Sequence, residues 1–172
     1  RVDDATVREL VATVFCNVST NSRSRAQMIE CNVMQILTLL SGTTNELLQE
    51  LCARCICNLT CSLEQHKKLI DNDILQTLLM ISLVRSVSHT TKQLAARAML
   101  NMLVTEENLT AVIDAGVIRA FGTLAAVNDS KTRSICAKGF LLFSACEKGR
   151  AELALRRNAM QALFGLLKSG KQ

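Results

Sequence analysis

The sequence repeats itself about every 42 residues, and this periodicity constrains the fold more than any other feature. Three similar segments, ATVFCNVS, ARCICNLT and ARAMLNML, place Asn17, Asn58 and Asn101 at corresponding positions, 41 and 43 residues apart. The next step falls on Leu142, in AKGFLLFS, where the helical pattern continues without the asparagine. A period of this length is typical of repeat proteins, whose units stack on one another to bury a shared core.

A second landmark runs half a repeat out of phase with the first. It appears in MIECNVMQIL, LIDNDILQTL, VIDAGVIRAF and ALRRNAMQAL, with Asn32, Asp73, Gly116 and Asn158 at corresponding positions. Glycine adopts the left-handed backbone conformation freely, and Asn or Asp adopts it more easily than other side chains do. The pattern therefore predicts a tight turn between two helices at each of these four positions.

The segments between these landmarks are helical in character. The chain contains no proline, and its apolar residues follow helical spacing rather than the alternation of strands. Each unit is predicted to hold a short first helix, a medium second helix and a longer third helix. First helices are expected near 22–31, 63–72, 106–115 and 149–157, second helices near 33–41, 74–86, 117–127 and 159–168, and third helices near 4–19, 45–60, 90–105 and 130–146. The expected N-caps of the third helices are Asn45, Thr90 or Thr91, and Asp129 or Ser130.

Taken together, VIDAGVIRAF followed by AARAMLNML resembles the armadillo repeat, a three-helix unit whose long third helix carries a recurring asparagine. HEAT repeats are the alternative, but they have two helices per unit and lack the short first helix. The resemblance implies an all-α, right-handed α-solenoid of three-helix armadillo repeats, forming a single array over 1–172. It divides the array into a partial repeat at 1–19, full repeats at 20–60, 61–105 and 106–146, and a partial repeat at 147–172. Because solenoids need polar end caps, we expect an excerpt of a longer chain.

Aligning the third helices on the asparagine position separates core from surface. Cysteines in this alignment exchange with Ala, Gly, Val and Leu from unit to unit, which is how buried free thiols behave. The positions assigned to the packed core on this basis include Ala12, Ala53, Ala96, Ala137, Val11, Val14, Leu141, Cys52, Cys55 and Cys57. The segment CARCICNLTC contains a C-x-x-C, but a zinc site needs four convergent ligands. We therefore expect no metal, no cofactor and no redox role for these cysteines.

A polar stripe accompanies the asparagines along the third helices. The residues four positions earlier are Thr13, Arg54, Arg97 and Lys138, and those eight positions earlier are Glu9, Glu50, Gln93 and Ser134. Third helices line the concave groove of armadillo proteins, so the resemblance implies that this stripe faces the groove. The predicted partner-binding residues are Asn17, Glu50, Arg54, Asn58, Gln93, Arg97, Asn101 and Lys138.

The chemistry of the stripe suggests a partner. An asparagine amide can bind a peptide C=O and N–H together, and Arg or Lys favours carboxylates or phosphorylated residues. We predict an interaction scaffold for an extended acidic or phosphorylated protein segment, centred on the units of Asn58 and Asn101. Armadillo proteins that carry basic localisation signals have Trp where this chain has Arg or Lys, so the groove resembles that of β-catenin-type adaptors. Two alternatives stay open. The stripe is merely solvated, with the asparagines bonded to neighbouring backbone, or the chain is a structural or targeting module that anchors a complex to the cytoskeleton or an organelle through convex surfaces or flanking regions.

Other functional classes receive little support from the sequence. The net charge of +5 is scattered and the chain lacks Trp and Tyr, which argues against nucleic-acid binding. No P-loop, nucleophile elbow or paired-carboxylate signature is present, so no enzymatic activity is expected. No apolar run reaches the length of a membrane span, and 8 cysteines in apolar helical pattern suggest reduced thiols and a cytoplasmic location. His66 and His89 are expected at the surface, and the oligomeric state is left open.

Overall fold

The computed structural model describes residues 4–84 and 87–168. Within these ranges the chain forms twelve α-helices, a 3₁₀ turn at Leu63–Gln65, and no strand. The helices are Asp4–Ser19 (α1), Ser22–Glu30 (α2), Val33–Ser41 (α3), Glu46–Leu59 (α4), His66–Asp71 (α5), Ile74–Leu83 (α6), His89–Met102 (α7), Glu106–Asp114 (α8), Val117–Leu124 (α9), Ser130–Ala145 (α10), Glu147–Leu155 (α11) and Arg157–Lys168 (α12). The predicted helices are confirmed, with ends that move by up to three residues. The exception is α6, where residues 85 and 86 of the predicted span lie outside the described residues.

Side-chain caps fix where the third helices begin. The Asn45 side chain accepts a hydrogen bond from the Leu48 backbone N–H, and Asp129 Oδ2 accepts one from Thr132. Both caps match the sequence prediction. The predicted cap of α7 at Thr90 or Thr91 is wrong, because the helix already begins at His89 and Ser88 accepts from the Thr91 N–H. Ser88 has the extended backbone that an N-cap requires.

Three of the four predicted left-handed turns are present. Asn32, Asp73 and Gly116 have φ values of 55°, 57° and 90° and each directly precedes a second helix. The prediction at Asn158 is wrong, because this residue lies inside α12. There the break between helices falls on Arg156, whose backbone is extended at φ −97° and ψ 102°. The Asn158 amide instead donates to the Arg119 carbonyl of α9, 3.3 Å away.

The third helices stack in the order α1, α4, α7 and α10, and small side chains allow their close approach. Ala12, Ala53 and Ala96 are fully buried, and the Cys55 thiol reaches the Phe15 carbonyl of the neighbouring helix at 3.5 Å. The core assignments of Cys52, Cys55 and Cys57 are confirmed.

Four other core assignments are wrong: Val11, Val14, Ala137 and Leu141 are exposed. They belong to α1 and α10, which each stack against only one other third helix among the described residues. Among the described residues, these positions therefore have no second third helix to cover them.

The surface prediction for His66 is also wrong, whereas His89 is exposed as expected. The His66 ring is 1% exposed at the start of α5. Its Nε2 lies 2.8 Å from the Thr60 carbonyl oxygen, which can only accept, so Nε2 donates. Its Nδ1 lies 3.2 Å from both Thr105 Oγ1 and Asn108 Nδ2, so the histidine connects α4, α5 and the start of α8.

Gly139 on α10 provides a test of the close packing in the core. A Cβ at this position would overlap the buried Phe121 ring, which also contacts Phe140 and Phe143. We expect Gly139→Ala to lower the free energy of unfolding by ~1–3 kcal/mol, because overpacking outweighs the gain in helix propensity. Gly165→Ala is the matched control, since its added methyl group would have no other atom within 4 Å. It should be neutral or stabilise by up to about 1 kcal/mol in urea titrations; equal effects of the two variants would contradict this packing.

The buried cysteines should be unreactive in the folded protein. Burial raises the pKa of Cys52, Cys55 and Cys136 to about 12 and that of Cys57 to about 11. Because the thiolate is the nucleophile, raising the pH from 7 to 9 should leave these four thiols unmodified by a disulfide reagent. The exposed Cys31 and Cys61 should react first. Mass spectrometry of the labelled sites checks this order, and rapid native labelling of Cys52 would contradict it.

Candidate functional site

The polar stripe forms a continuous band along the stacked third helices, which we call the third-helix surface. It comprises the asparagine position and the positions four and eight residues before it on α1, α4, α7 and α10. Arg54, Arg97, Lys138 and Asn17 are exposed, whereas Glu50, Gln93, Asn58 and Asn101 are half-buried. All eight predicted partner-binding residues therefore lie on this one band, at the positions expected from the alignment of the third helices.

The half-buried asparagines make hydrogen bonds between neighbouring third helices. Asn58 Nδ2 donates to Ser19 Oγ at 2.9 Å, and Asn101 Nδ2 donates to Thr60 Oγ1 at 3.0 Å. Each acceptor lies two residues after the asparagine position of the preceding third helix. Both acceptors are side-chain hydroxyls. The solvated-stripe alternative expected bonds to neighbouring backbone instead.

Asn58 uses one amide hydrogen in this way, whereas Asn101 Nδ2 also donates to Cys61 Sγ at 3.6 Å, and these bonds fix the orientation of both amides. An asparagine amide has a second hydrogen and an acceptor oxygen. Among the described residues, none donates to Oδ1 of Asn58 or Asn101. The structural role of these side chains is therefore compatible with binding a ligand through the remaining amide groups.

The hydroxyl and the asparagine are lost together at the next junction. Leu142 stands at the asparagine position of α10, and Leu103 stands at the hydroxyl position of α7. Leu103 is buried and Leu142 packs against the core. An unpaired hydroxyl or amide would be costly there, and the exchange of both partners for leucine avoids that cost. At the end of α10, Ser144 restores the hydroxyl.

The cations of the stripe differ in their partners. Arg54 forms an ion pair with Glu50, four residues earlier on α4, at 2.5 Å. The corresponding residue before Arg97 is Gln93, and the one before Lys138 is Ser134, neither of which carries a charge. Among the described residues, the cation of the stripe thus has an ion-pair partner on α4 but none on α7 and α10.

The cations without an ion-pair partner line a cleft of about 450 Å³ between α7 and α10. Arg97, Lys131 and Lys138 line it, and the described part of the chain offers none of the three an ion-pair partner. The other polar residues of the cleft are Gln93, Ser130 and Ser134. We call this feature the cationic cleft. Its donors and open shape suit a carboxylate or a phosphate group.

Other kinds of site receive no support from the geometry. Within the described ranges, no group of three or more His, Cys, Asp or Glu side chains could hold a metal ion. The C-x-x-C cysteines, Cys52 and Cys55, are fully buried. The helices at 4–84 and 87–168 include none long and apolar enough to cross a membrane.

Comparisons with known proteins identify the architecture. Neither a known family model nor a curated protein matches the sequence. A designed armadillo repeat protein in complex with the peptide (KR)4 superposes with a TM-score of 0.76 at 15% identity, over 98% of this chain and 77% of that one. Computationally designed armadillo repeat proteins for modular peptide recognition give 0.74 at 16% identity, over 98% and 77%. An engineered protein gives 0.72 at 22% identity, over 95% and 76%.

The fold is an armadillo-like solenoid. In this solenoid the helices α1, α4, α7 and α10 stack on one another in chain order. At these identities the likeness concerns the fold, and the binding properties of this chain have to be argued from its own residues.

Sequence reasoning missed two sets of residues on this armadillo-like surface. Ser19 and Thr60 were not recognised as partners of the asparagines, although both follow an asparagine position by two residues. Lys131 was also missed, because it lies at none of the three aligned positions of the stripe and reaches the cleft from the first turn of α10. Comparing the residues two positions after each asparagine would have found Ser19 and Thr60. Lys131 could not be found in this way, because its place in the cleft depends on the packing of α7 against α10.

The amide–hydroxyl bonds should contribute to stability. We expect Asn58→Leu to lower the free energy of unfolding by about 1 kcal/mol, because the Ser19 hydroxyl loses its donor. A double-mutant cycle with Ser19→Ala, measured by urea denaturation, should give a coupling energy of ~0.5–1.5 kcal/mol. Asn17→Leu is the control, because Asn17 is exposed, and it should change stability by less than about 0.5 kcal/mol. A coupling energy of zero would contradict the assigned bond.

Proposed function

We propose that this chain is a non-enzymatic interaction scaffold that binds an extended acidic or phosphorylated protein segment along its third-helix surface. The observation that carries the proposal is the cationic cleft, where Arg97, Lys131 and Lys138 face solvent without ion-pair partners among the described residues. Uncompensated cations that converge on one cleft attract carboxylates or phosphates. The partial and full repeats expected from the sequence, from 1–19 to 147–172, form the proposed single array that presents this surface.

The spacing of the third helices supports an extended ligand. Packed helices lie about 8–10 Å apart, and an extended peptide rises about 3.3 Å per residue. Successive units can therefore contact about every third residue of a strand laid across them. Asn58 and Asn101 would bind the ligand backbone through the amide groups that their interhelix bonds leave available.

Charge selectivity, in this proposal, comes chiefly from α7 and α10. Arg54 already has Glu50 as a partner, so an acidic ligand must compete with an intramolecular carboxylate there. Arg97 and Lys138 carry no such competitor within the described residues. The centre of acid recognition therefore lies one junction further along the array than the sequence alone suggested, at the cationic cleft rather than between Asn58 and Asn101.

The solved neighbours provide a contrast as well as a precedent. One designed armadillo repeat protein is in complex with (KR)4, a basic peptide. This chain presents Arg97, Lys131 and Lys138 on its third-helix surface, so the same mode of binding would select a ligand of the opposite sign. The coarse function, peptide recognition by a repeat surface, is thus proposed together with an acidic preference.

Peptide binding measured by fluorescence anisotropy tests this function. We expect fluorescein-labelled (DE)4 to bind and (KR)4 not to bind, with an affinity for (DE)4 that falls as salt screens the charges. Replacing two of the cleft cations, in Arg97→Gln/Lys138→Gln, should weaken (DE)4 binding at least ~10-fold, or about 1.4 kcal/mol. Lys67→Gln/Arg119→Gln removes the same charge from exposed residues of α5 and α9 and is the matched control. Equal binding by the two double variants, with unchanged circular dichroism, would refute the proposal.

A single substitution on α4 should act in the opposite direction. Glu50→Gln removes the carboxylate that pairs with Arg54 and so frees this cation for the ligand. Exposed ion pairs of this kind are worth about 0.2–1 kcal/mol, so the affinity for (DE)4 should rise by a factor of roughly 1.4 to 5. In the double variant Glu50→Gln/Arg54→Gln the gain should disappear. A gain that persists would mean that Glu50 repels the peptide by itself, without Arg54.

A further inference from the structure

The cationic cleft lies at one of three junctions between stacked third helices, and the repeat identifies the equivalent residues at the other two. On α10 the lining residues of the cleft lie four, seven, eight, eleven and twelve positions before Leu142, which stands at the asparagine position. On α7 they lie four and eight positions before Asn101. We call these the cleft positions, and they recur at the α1–α4 and α4–α7 junctions.

The cleft positions of the other two junctions are all exposed or half-buried. At the α4–α7 junction they hold Glu50, Arg54, His89, Thr90, Gln93, Leu94 and Arg97. At the α1–α4 junction they hold Glu9, Thr13, Glu46, Leu47, Glu50, Leu51 and Arg54. Three equivalent junctions of different composition therefore follow one another along the third-helix surface.

The formal charge at the cleft positions changes sign along the array. The α1–α4 junction has three carboxylates and one guanidinium, which give −2, whereas the α4–α7 junction has one carboxylate and two guanidiniums, which give +1 with His89 neutral. The α7–α10 junction has three cations and no carboxylate at these positions, which give +3. The first and last junctions are two helix spacings apart, or about 16–20 Å. This exceeds the Debye length of about 8 Å at physiological ionic strength, so each end acts mainly on its own part of a ligand.

A carboxylate beside the cationic cleft reduces this contrast without removing it. Asp129, one position before the cleft positions of α10, accepts hydrogen bonds from the backbone N–H and the hydroxyl of Thr132 at 2.7 Å and 2.6 Å. The equivalent residues of α4 and α7, Asn45 and Ser88, are neutral. Counting Asp129 lowers the charge of the last junction to +2, so the charges still run from −2 through +1 to +2.

Most carboxylates of the α1–α4 junction lack an ion-pair partner among the described residues. Of the three, Glu50 alone has one, and this partner, Arg54, belongs to the same junction. Glu9 accepts a hydrogen bond from the neutral Asn45 amide at 2.8 Å, and Glu46 is exposed. Glu9 and Glu46 are therefore the groups at this end with which a cation of a ligand can pair.

Leucines at the same junction suit the long side chains of lysine and arginine. Leu47 is 52% exposed and stands where the cationic cleft has Lys131. Leu51 is half-buried and stands where the cleft has Ile135. Lysine and arginine pack their aliphatic carbons on apolar surface while their charged ends stay in water. A basic residue of a ligand can therefore contact Leu47 and direct its charge to Glu46.

We propose that the partner segment is charge-segregated, with its acidic residues over the α7–α10 junction and its basic residues over the α1–α4 junction. This pattern rests on the proposed function, because it concerns the ligand of the same third-helix surface. At about 3.3 Å per residue, the two groups are about five or six residues apart in an extended segment. Binding is then directional, since a reversed segment would place its acids against Glu46 and its cations against Lys131.

Three fluorescein-labelled peptides of identical composition and net charge test the charge pattern. DEDEGSKRKR and KRKRGSDEDE separate the charges into two blocks whose centres are about six residues apart, in the two possible chain directions, whereas DKERGSDKER mixes them. We expect one of the block peptides to bind at least ~10-fold more tightly than the mixed peptide in fluorescence anisotropy, because only separated blocks match both ends of the surface. Equal affinities for all three peptides would overturn this charge pattern.

Variants of the chain identify the end that binds the basic block. Glu9→Gln/Glu46→Gln should weaken the tighter block peptide at least ~3-fold without weakening (DE)4, because only the basic block pairs with these carboxylates. Glutamine can still accept the hydrogen bond from Asn45. Asp71→Asn/Glu107→Gln removes the same charge from exposed residues of α5 and α8 and is the matched control. Equal losses in the two double variants would mean that net charge alone matters, and would overturn the proposed pattern.

The result for (DE)4 separates this charge pattern from the proposed function. If (DE)4 binds but neither block peptide is preferred over the mixed one, charge segregation is rejected and the acidic scaffold is retained. If neither (DE)4 nor any block peptide binds, both are rejected. A block peptide whose affinity is unchanged by Arg97→Gln/Lys138→Gln would contradict the placement of its acidic block over the α7–α10 junction.

Discussion

Close stacking of the third helices is the interaction on which the rest of the structure depends. It requires small side chains where the helices approach, and Ala12, Ala53 and Ala96 provide them with no exposed surface. Cysteine serves the same purpose at Cys52 and Cys55, as a small apolar residue whose thiol can still reach a neighbouring carbonyl. Because the interior of a protein is packed as densely as an organic crystal, a larger residue at any of these positions would separate the units and with them the polar band on their outer edge.

The polar band follows from this stacking. Once the helices are close, a donor at one fixed position of each helix meets an acceptor at a fixed position of the helix before it, and Asn58 and Asn101 exploit this with Ser19 and Thr60. The same geometry brings Arg97 beside Lys138 with no acid between them in the described ranges. Like charges at short range are unfavourable for folding by themselves, and an acidic ligand of the kind proposed would relieve this repulsion.

Most of the fold could be predicted from local signals, and most of the site could not. The helices and three of the turns follow from apolar spacing and from residues such as Gly116, whose backbone preference is a property of the residue itself. Burial of His66, by contrast, depends on Thr105 and Asn108, some forty residues later, which no local pattern reveals. Aligning the third helices located Arg54 and Arg97 equally well, but only the side-chain positions show that Arg54 pairs with Glu50 while Arg97 has no ion-pair partner among the described residues. The turn at Asn158 failed because a small shift of the helix break, to Arg156, moved the residue into α12.

The replacement of an asparagine and a hydroxyl by Leu142 and Leu103 has a mechanical consequence. Hydrogen bonds are directional and hold two helices in one register, whereas apolar contact is non-directional and tolerates sliding. The α1–α4 and α4–α7 junctions are thus fixed by a hydrogen bond at the asparagine position, while the α7–α10 junction has leucines at both corresponding positions. We expect this junction to act as the compliant joint of the array, where the curvature of the solenoid adjusts most easily. The cationic cleft spans this same junction, so on this expectation the width of its mouth would adjust more easily than the spacing at the other two junctions.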